Sequence, residues 1–155
     1  MGLDMYLKAS KYLGGWRHSE VSYIQQFGNT LAAAGFSLDS ATPESPSLTV
    51  NVTVMYWRKA NAIHAWFVEH CQGGNDECQE SYVSRESLED LLKLCKDVLQ
   101  KKDPTELPPC EGFFFGSTKI DECYWEDIQL TIDGLTKVLT NESLKKCDFY
   151  YRASW

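Results

Sequence analysis

Hydrophobic and polar residues alternate at the start of the chain and again near residue 50, and a period of two is typical of a β-strand. In the first stretch the alternating positions include Leu3, Met5 and Leu7, and in the second they include Val50 and Val52. Two shorter stretches, rich in tyrosine, have the composition of strands. The four predicted strands cover residues 2–12, 47–56, 81–83 and 148–154, and the last could pair with the first.

Apolar residues recur every three or four positions between residues 85 and 102, which predicts a helix with one buried face. Leu88, Leu91 and Cys95 lie on that face. The residue before this stretch, Ser84, is a suitable N-cap because its hydroxyl can accept a hydrogen bond from a free amide of the first turn. This stretch is therefore expected to pack as a helix.

Three further helices are predicted from their caps and stops. One runs from a cap at Ser19 to a glycine stop at Gly35, and another runs from about Lys59 to Cys71, before the sequence QGGND. The third follows Asp121, whose carboxylate can cap the first turn. Its apolar face is expected to carry Trp125, Ile128, Ile132, Leu135 and Leu139.

The length and composition fit one folded domain built from these elements. The chain has 155 residues, of which 43% are hydrophobic and 24% are charged, as in ordinary globular proteins. A domain of this size buries roughly 70% of the surface that its unfolded chain exposes, so it needs no cross-link to fold. The sequence predicts a single α+β domain over residues 1–155, with a mostly antiparallel small sheet packed by about three helices.

Charge and hydropathy narrow the classes of partner. The formal net charge of −7 argues against nucleic acid, because binding a phosphate backbone needs clustered lysine and arginine. No apolar run reaches membrane-spanning length, and the N-terminus does not resemble a signal peptide, so no membrane partner is predicted. The six scattered cysteines form no C-x-x-C pair and are expected to be free thiols in a cytoplasm.

The segment YWRKANAIHAWFVEHC, residues 56–71, is the first candidate site. Placed on one helix, His64 faces inward in the same sector as Trp57, while Arg58 lies on the opposite side with Ala62 near it. In a functional interpretation, basic groups bind an anion, a tryptophan stacks on a planar ring, and a histidine or asparagine supplies a hydrogen bond. In the alternative, the histidine and the aromatic residues only fill the core. The candidate ligand-binding residues here are Trp57, Arg58, Lys59, Asn61, His64 and Trp66.

The second candidate site is EGFFFGSTKIDECYWED, residues 111–127. Gly116, Ser117 and Thr118 precede a predicted helix start, where free amides and hydroxyls favour an anion, although no P-loop pattern is present. Trp125, on that helix, completes the candidate set. The alternative is a buried strand that turns into a capped helix, and the three phenylalanines fit either a core or a contact between subunits.

Recognisable catalytic motifs are absent from the sequence. The histidines His18, His64 and His70 make no H-E-x-x-H pattern, and neither G-x-S-x-G nor G-x-G-x-x-G occurs. A cysteine and a histidine brought together by the fold stay an open alternative, because the sequence does not reveal distances. No catalytic residue, metal or cofactor is therefore predicted.

Four stretches are distinctive as a set: MGLDMYLKASKYL, YWRKANAIHAWFV, GFFFGSTKIDECYWEDI and FYYRASW. Together they span nearly the whole chain, and they resemble a family of small, poorly characterised proteins of tailed phages and prophages. The resemblance implies a phage protein made in the bacterial host cytoplasm. Small phage proteins of this kind often act against host defence, by sequestering a nucleotide messenger or by blocking a host protein. No catalytic residues are carried over by this resemblance.

Two hypotheses of function follow. The first is a non-catalytic protein that sequesters an anionic, nucleotide-like ligand between residues 57–66 and 112–125. The second is an acidic protein-interaction module that inhibits a host protein by covering a basic surface. A small enzyme acting on a nucleotide is a further alternative, and a homo-oligomer is compatible with each. Aromatic residues stacked in a cleft would favour the first hypothesis, and an exposed aromatic patch would favour the second.

Overall fold

The structure is a computed structural model, and it describes residues 2–14, 32–35 and 47–155. These residues belong to two compact units, one of Met1–Ala9 with Val52–Trp155 and one of Ser10–Asn51. The first unit contains the helices and strand segments from which the candidate sites are built. The prediction of one domain over the whole chain stays a prediction.

Four strands form one antiparallel sheet in the order β2-β1-β4-β3, and three helices accompany it in the described residues, which confirms the α+β class. None of these helices is long and apolar enough to cross a membrane. The strands are β1 (Asp4–Gly14), β2 (Ser47–Arg58), β3 (Ser81–Val83) and β4 (Asp148–Ser154). The helices are α1 (Asn61–Cys71), α2 (Arg85–Lys101) and α3 (Glu122–Thr140), followed by a short 3-10 helix (Glu142–Leu144).

The strands agree closely with their sequence patterns. Each lies within two residues of its predicted bounds, and β1 and β4 are neighbours as predicted. In the antiparallel pair of β3 and β4, Tyr82 lies opposite Tyr150. Burial alternates along β4, where Phe149, Tyr151 and Ala153 are buried and the residues between them are not. This alternation makes one face of the sheet apolar.

Two helices begin at the predicted caps. The hydroxyl of Ser84 accepts a hydrogen bond from the amide of Ser87 at 3.0 Å, and α2 follows. The carboxylate of Asp121 accepts one from the amide of Tyr124 at 3.4 Å, and α3 follows. α2 and α3 then pack side by side. Both caps satisfy a first-turn amide that has no partner within its helix.

The start of α1 corrects the sequence analysis. The helix begins at Asn61 rather than at Lys59, because Lys59 has a φ of 61° and turns the chain out of β2. Trp57 therefore belongs to the strand. Successive side chains of a strand point to opposite faces, so Trp57 lies on the buried face of β2 and its two neighbours lie on the exposed face. Ala62 was predicted on an outward face but is only 4% exposed. The chain after residue 110 covers this end of the helix.

The helix predicted from Ser19 to Gly35 lies outside the described residues except at its end. There Gly35 has a φ of 89°, and its amide donates to the carbonyl of Ala32 at 3.0 Å. A left-handed glycine is the common way to end a helix, so this detail agrees with the predicted stop.

Aromatic contacts join the buried face of the sheet to the helices. Phe67 of α1 stacks on Tyr151 of β4, with ring centroids 4.0 Å apart. Trp57 of β2 is fully buried and meets Phe67 at a steep angle, with ring centroids 5.9 Å apart. Its indole Nε1–H donates to the hydroxyl of Thr131 in α3 at 2.9 Å. The core therefore combines ring packing with buried hydrogen bonds between sheet and helix, of which the Trp57–Thr131 bond is one.

Tyrosines from all four strands lie on the opposite side of the strands. Tyr6 and Tyr56 have ring centroids 5.4 Å apart, and Tyr82 and Tyr150 have centroids 5.9 Å apart. The hydroxyl of Tyr56 donates to the carboxylate of Asp4. Tyr56 and Tyr82 are 46% and 57% exposed, so this face borders solvent in the described part of the chain.

We expect Thr131→Val to lower the free energy of unfolding by about 1–3 kcal/mol, because it leaves the buried indole N–H of Trp57 without an acceptor at nearly constant side-chain volume. Urea unfolding followed by tryptophan fluorescence measures the change. Thr136→Val is the matched control, since the exposed Thr136 bonds only to the carbonyl of Ile132 in its own helix. Equal losses in the two variants would contradict the role of the indole contact.

Candidate functional site

The turn from β2 into α1 brings two basic side chains to the start of a helix. Arg58 ends the strand, and Lys59, in the left-handed conformation, donates its amide to the carbonyl of Leu3 at 2.8 Å. Ala60 then occupies the N-cap, where it offers no side-chain acceptor to the amides of the first turn. The amide of Asn61 donates to the carbonyl of Lys59 at 2.8 Å, whereas no side chain caps the amides of Ala62 and Ile63. The start of α1 therefore presents these two backbone donors and the positive end of the helix dipole.

An irregular loop, residues 110–119, lies across the start of α1. The side-chain amide of Asn61 donates to the carbonyls of Phe115 at 3.2 Å and Ser117 at 2.9 Å. The thiol of Cys110 donates to the carbonyl of Asn61 at 3.3 Å. Asn61 is only 5% exposed, so these bonds replace the water that the carbonyls would otherwise bind. The predicted ligand donor Asn61 thus uses its amide hydrogens to hold the loop.

A pocket of about 390 Å³ opens between the β2–α1 turn, the 110–119 loop and the start of α3. We call it the corner pocket. Residues 58–63 line one part of it, and nine residues between Gly116 and Ile128 line the rest, so it lies between the two segments selected from the sequence. Its charged lining residues are Arg58, Lys59, Lys119, Asp121, Glu126 and Asp127.

Three basic side chains of the corner pocket lack a partner of opposite charge in the part of the chain that the structure describes. Arg58, Lys59 and Lys119 are exposed, and none forms a salt bridge there. Lys119 was not among the predicted site residues. The guanidinium and the two ammonium groups are therefore open to an anionic ligand.

Two glycines hold the stem of Lys59. A Cβ added to Gly2 would lie 3.3 Å from Cε of Lys59, and one added to Gly116 would lie 3.3 Å from its Cβ. Gly116 also has a φ of 92°, a conformation that a side chain would strain. This close packing restricts the rotamers of Lys59, so less side-chain entropy is lost when its ammonium group binds.

The corner pocket also contains a carboxyl group with a perturbed pKa. Burial raises the pKa of Asp127 from 3.8 to about 6, and repulsion from Glu126 and Asp121 adds to the shift. The pocket therefore loses one negative charge as the pH falls through 6. No group of three or more histidine, cysteine or acidic residues that could hold a metal ion occurs in the described residues, these carboxylates included.

Half of the ten predicted site residues meet at the corner pocket. Within the part of the chain that the structure describes, its one aromatic lining residue is Tyr124, which is 6% exposed. A ring stacked on Trp57 or Trp66 therefore has no place in this pocket. The predicted residues that line it are Arg58, Lys59, Asn61, Gly116 and Ser117, and those that do not are Trp57, His64, Trp66, Thr118 and Trp125.

His64 is a core residue with both ring nitrogens hydrogen-bonded. It is 1% exposed, its Nδ1 lies 2.7 Å from the hydroxyl of Tyr151, and its Nε2 lies 2.9 Å from a carboxylate oxygen of Asp76. This arrangement corresponds to the alternative in which the histidine fills the core. The inward orientation predicted for His64 is confirmed, whereas a direct contact with a ligand in the corner pocket is not available to it.

The remaining predicted aromatic residues have structural partners. Trp66 is 7% exposed and stacks on His70, with ring centroids 4.5 Å apart and an interplanar angle of 12°. Trp125 is half-buried, and the ammonium group of Lys102 lies 4.5 Å from its ring centroid. Lys102 is also the left-handed C-cap of α2, so this contact ties the end of α2 to the start of α3.

A second concavity, of about 340 Å³, is lined by the first part of the 110–119 loop. We call it the aromatic groove. The sequence identified its three phenylalanines but left their place open, and the structure shows that Phe113 is 95% exposed. No local pattern indicated that Asp76 and Trp155 would join them, because these residues are far apart in the chain. The groove is lined by Asp76, Glu111, Gly112, Phe113, Phe114, Phe115 and Trp155.

Comparisons of the chain with protein-family models, with curated proteins and with solved structures find no match. The resemblance to small phage proteins therefore stays a prediction. The chemistry of the corner pocket and of the aromatic groove rests on their own residues and distances.

We expect Asn61→Asp to lower the free energy of unfolding by at least about 1–3 kcal/mol, because it sets a carboxylate against the carbonyls of Phe115 and Ser117 at constant side-chain shape. Urea unfolding measures the change. Asn75→Asp makes the same chemical substitution at an exposed position and serves as the control. A loss for Asn61→Asp no larger than that of the control would contradict the proposed hold on the loop.

We expect Asp127→Asn to raise the free energy of unfolding at about pH 8 and to raise it less at about pH 4. The folded-state pKa of about 6 lies above the ordinary value of 3.8, so the folded state disfavours the ionised group above pH 6. That penalty disappears as the pH falls towards 3.8. Chemical unfolding at several pH values in this range measures the change in the free energy of unfolding. The control is Asp90→Asn, at an exposed position. If the control showed the same pH-dependent increase, the increase could not be assigned to the raised pKa of Asp127.

Proposed function

We propose that the protein is a non-catalytic binding protein that holds a small anionic ligand, such as a nucleotide, in the corner pocket. The observation that carries the proposal is the convergence of three basic side chains, unpaired in the described residues, on one cavity at an uncapped helix start. Arg58 comes from the end of a strand, Lys59 from a turn and Lys119 from the loop. Three carboxylates also line the pocket, but none forms a salt bridge with these basic groups in the described residues, so the basic groups can still bind an anion.

The start of α1 adds backbone donors to these charges. The first amides of a helix have no acceptor within the helix, and the helix dipole places partial positive charge at the same end. Ala62 and Ile63 line the pocket, and the N-cap Ala60 supplies no competing side-chain acceptor. An oxygen of a phosphate group would accept hydrogen bonds at this position.

The acidic lining residues favour a ligand that also carries hydrogen-bond donors. Asp121, Glu126 and Asp127 would repel a bare polyanion, whereas sugar hydroxyls or base amino groups could donate to their carboxylates. A nucleotide combines such donors with phosphate oxygens. Because no tryptophan of the described residues lines the pocket, charge and hydrogen bonding rather than ring stacking would carry recognition. The volume of about 390 Å³ is within the roughly 300–1,000 Å³ of small-molecule sites.

The resemblance to small phage proteins supports a role in the bacterial host cytoplasm. There, a protein that binds a nucleotide messenger would withhold it from a host defence system. Sequestration requires affinity and abundance but no reacting group, which agrees with the lack of a catalytic motif in the sequence.

Two measurements test the proposal. Differential scanning fluorimetry is carried out with sulfate and with mono-, di- and cyclic nucleotides, and calorimetry then measures the affinity. At least one class should raise the melting temperature, because a ligand that binds only the folded state stabilises it by mass action. Arg58→Ala should weaken that ligand roughly tenfold or more, since it removes a charged hydrogen-bond donor. Arg152→Ala removes an exposed arginine of β4 that does not line the pocket and should leave the affinity unchanged.

Two results would contradict the proposal. One is a panel in which no anion or nucleotide changes the melting temperature. The other is an equal loss of affinity in Arg58→Ala and Arg152→Ala, which would assign the effect to net charge rather than to the corner pocket.

A further inference from the structure

The aromatic groove presents apolar rings and two carboxylates to solvent. Phe113 is 95% exposed and Trp155 is 41% exposed, and both line the groove together with Asp76 and Glu111. A large aromatic side chain this exposed contributes little to the core, and its surface stays in contact with water in the folded chain. Among the described residues, no lysine or arginine lines the groove. The groove therefore combines apolar rings with negative charge.

Close contacts hold the phenylalanines in place. A Cβ added to Gly112 would lie 2.4 Å from Cδ2 of Phe115, so only glycine lets this ring pack where it does. The amide of Phe115 donates to the carbonyl of Gly112 at 3.1 Å, and the amide of Leu3 donates to the carbonyl of Phe114 at 3.1 Å. Phe113 and Phe114 meet edge to face, with centroids 4.8 Å apart. A groove formed before binding loses less conformational entropy when it is occupied.

Asp76 is oriented by two neighbours. One carboxylate oxygen lies 2.9 Å from Nε2 of His64, and the other accepts a hydrogen bond from the indole of Trp155 at 3.1 Å. A carboxylate has about four acceptor positions, so Asp76 can accept further hydrogen bonds from a ligand. Glu111 is exposed and adds a second carboxylate at the groove. The two acids supply acceptors beside the rings.

We propose that the aromatic groove binds an arginine side chain presented by a basic segment of a partner protein. A guanidinium group is planar, stacks on aromatic faces and donates paired hydrogen bonds to carboxylates. Phe113 and Trp155 supply the faces, and Asp76 and Glu111 supply the acceptors. At low ionic strength, the formal net charge of −7 also speeds the approach of a basic protein surface.

A protein partner fits this surface better than a free cation does. A single guanidinium group covers one face of a ring, whereas Phe113 is exposed on nearly its whole surface. Aromatic residues and arginine are enriched at the centre of protein interfaces, and polar groups surround them at the rim. The inference is independent of the corner pocket, because Glu111 and Phe113 do not line that pocket.

A titration of the full chain followed by nuclear magnetic resonance tests the proposal. The reporter is the indole signal of Trp155. This method detects the weak binding that is expected when a single side chain is the ligand. The probes are a capped glycine peptide with one central arginine and the same peptide with citrulline, which keeps the shape but lacks the charge. We expect the arginine peptide to shift the Trp155 signal saturably and the citrulline peptide to bind roughly tenfold more weakly.

Matched variants locate the binding. Glu111→Gln should weaken the arginine peptide at least about threefold, and Glu86→Gln, at an exposed position of α2, should not. Phe113→Ala should weaken it as well, whereas Tyr82→Ala, which removes an exposed ring of β3, should leave it unchanged. Sulfate and nucleotide binding are measured on the same variants and should be unaffected, which separates failure of this proposal from failure of the corner pocket.

Four results would overturn the inference. A Trp155 signal that does not move, or that moves equally with arginine and citrulline, excludes recognition of the guanidinium group. Equal affinity for a lysine peptide removes the assignment to arginine. Equal affinity for methylguanidinium assigns the groove to a free cation instead of a protein partner. Unchanged affinity in both Glu111→Gln and Phe113→Ala places any binding outside the groove.

Discussion

The side-chain amide of Asn61 donates hydrogen bonds to two carbonyls of the 110–119 loop, that of Phe115 at 3.2 Å and that of Ser117 at 2.9 Å. Such a loop has no ladder of its own, so carbonyls that it buries need partners from elsewhere in the fold. Phe115 lines the aromatic groove and Ser117 lines the corner pocket. The shape of both concave surfaces therefore depends on one buried amide at the start of α1.

The two surfaces differ in their chemistry although they share this loop. The corner pocket combines Arg58, Lys59 and Lys119 with three carboxylates, whereas the aromatic groove has carboxylates and, among the described residues, no basic lining residue. A net charge of −7 is compatible with both, because charges beyond about 8–10 Å are largely screened at physiological salt. Local arrangement, rather than the sum of charges, sets what each surface attracts.

Most of the fold could be predicted because its signals are local. Alternation along β1 and β2 and the caps Ser84 and Asp121 involve residues a few positions apart, and the strands and helices that they predict are confirmed. The alternating residues Val50 and Val52 are 37% and 51% exposed, however, so the buried face of β2 is the one that carries Met55 and Trp57. The start of α1 could not be predicted in this way. Lys59 adopts its left-handed conformation where Gly2 and Gly116 leave room for its stem, and both glycines are remote in sequence. The same turn places Trp57 in a strand instead of the predicted helix, although its side chain is buried as predicted.

The sequence by itself determined the α+β class, the strand and cap positions, and the two segments that border the corner pocket, because periodicity and capping act between near neighbours. Only the tertiary structure decided which candidates meet. It turned His64 to Tyr151, 87 residues away, and brought Asp76 to Trp155, 79 residues away. Contacts of this range follow from the packing of the whole core, in which every element constrains the others, and no short stretch of sequence encodes them.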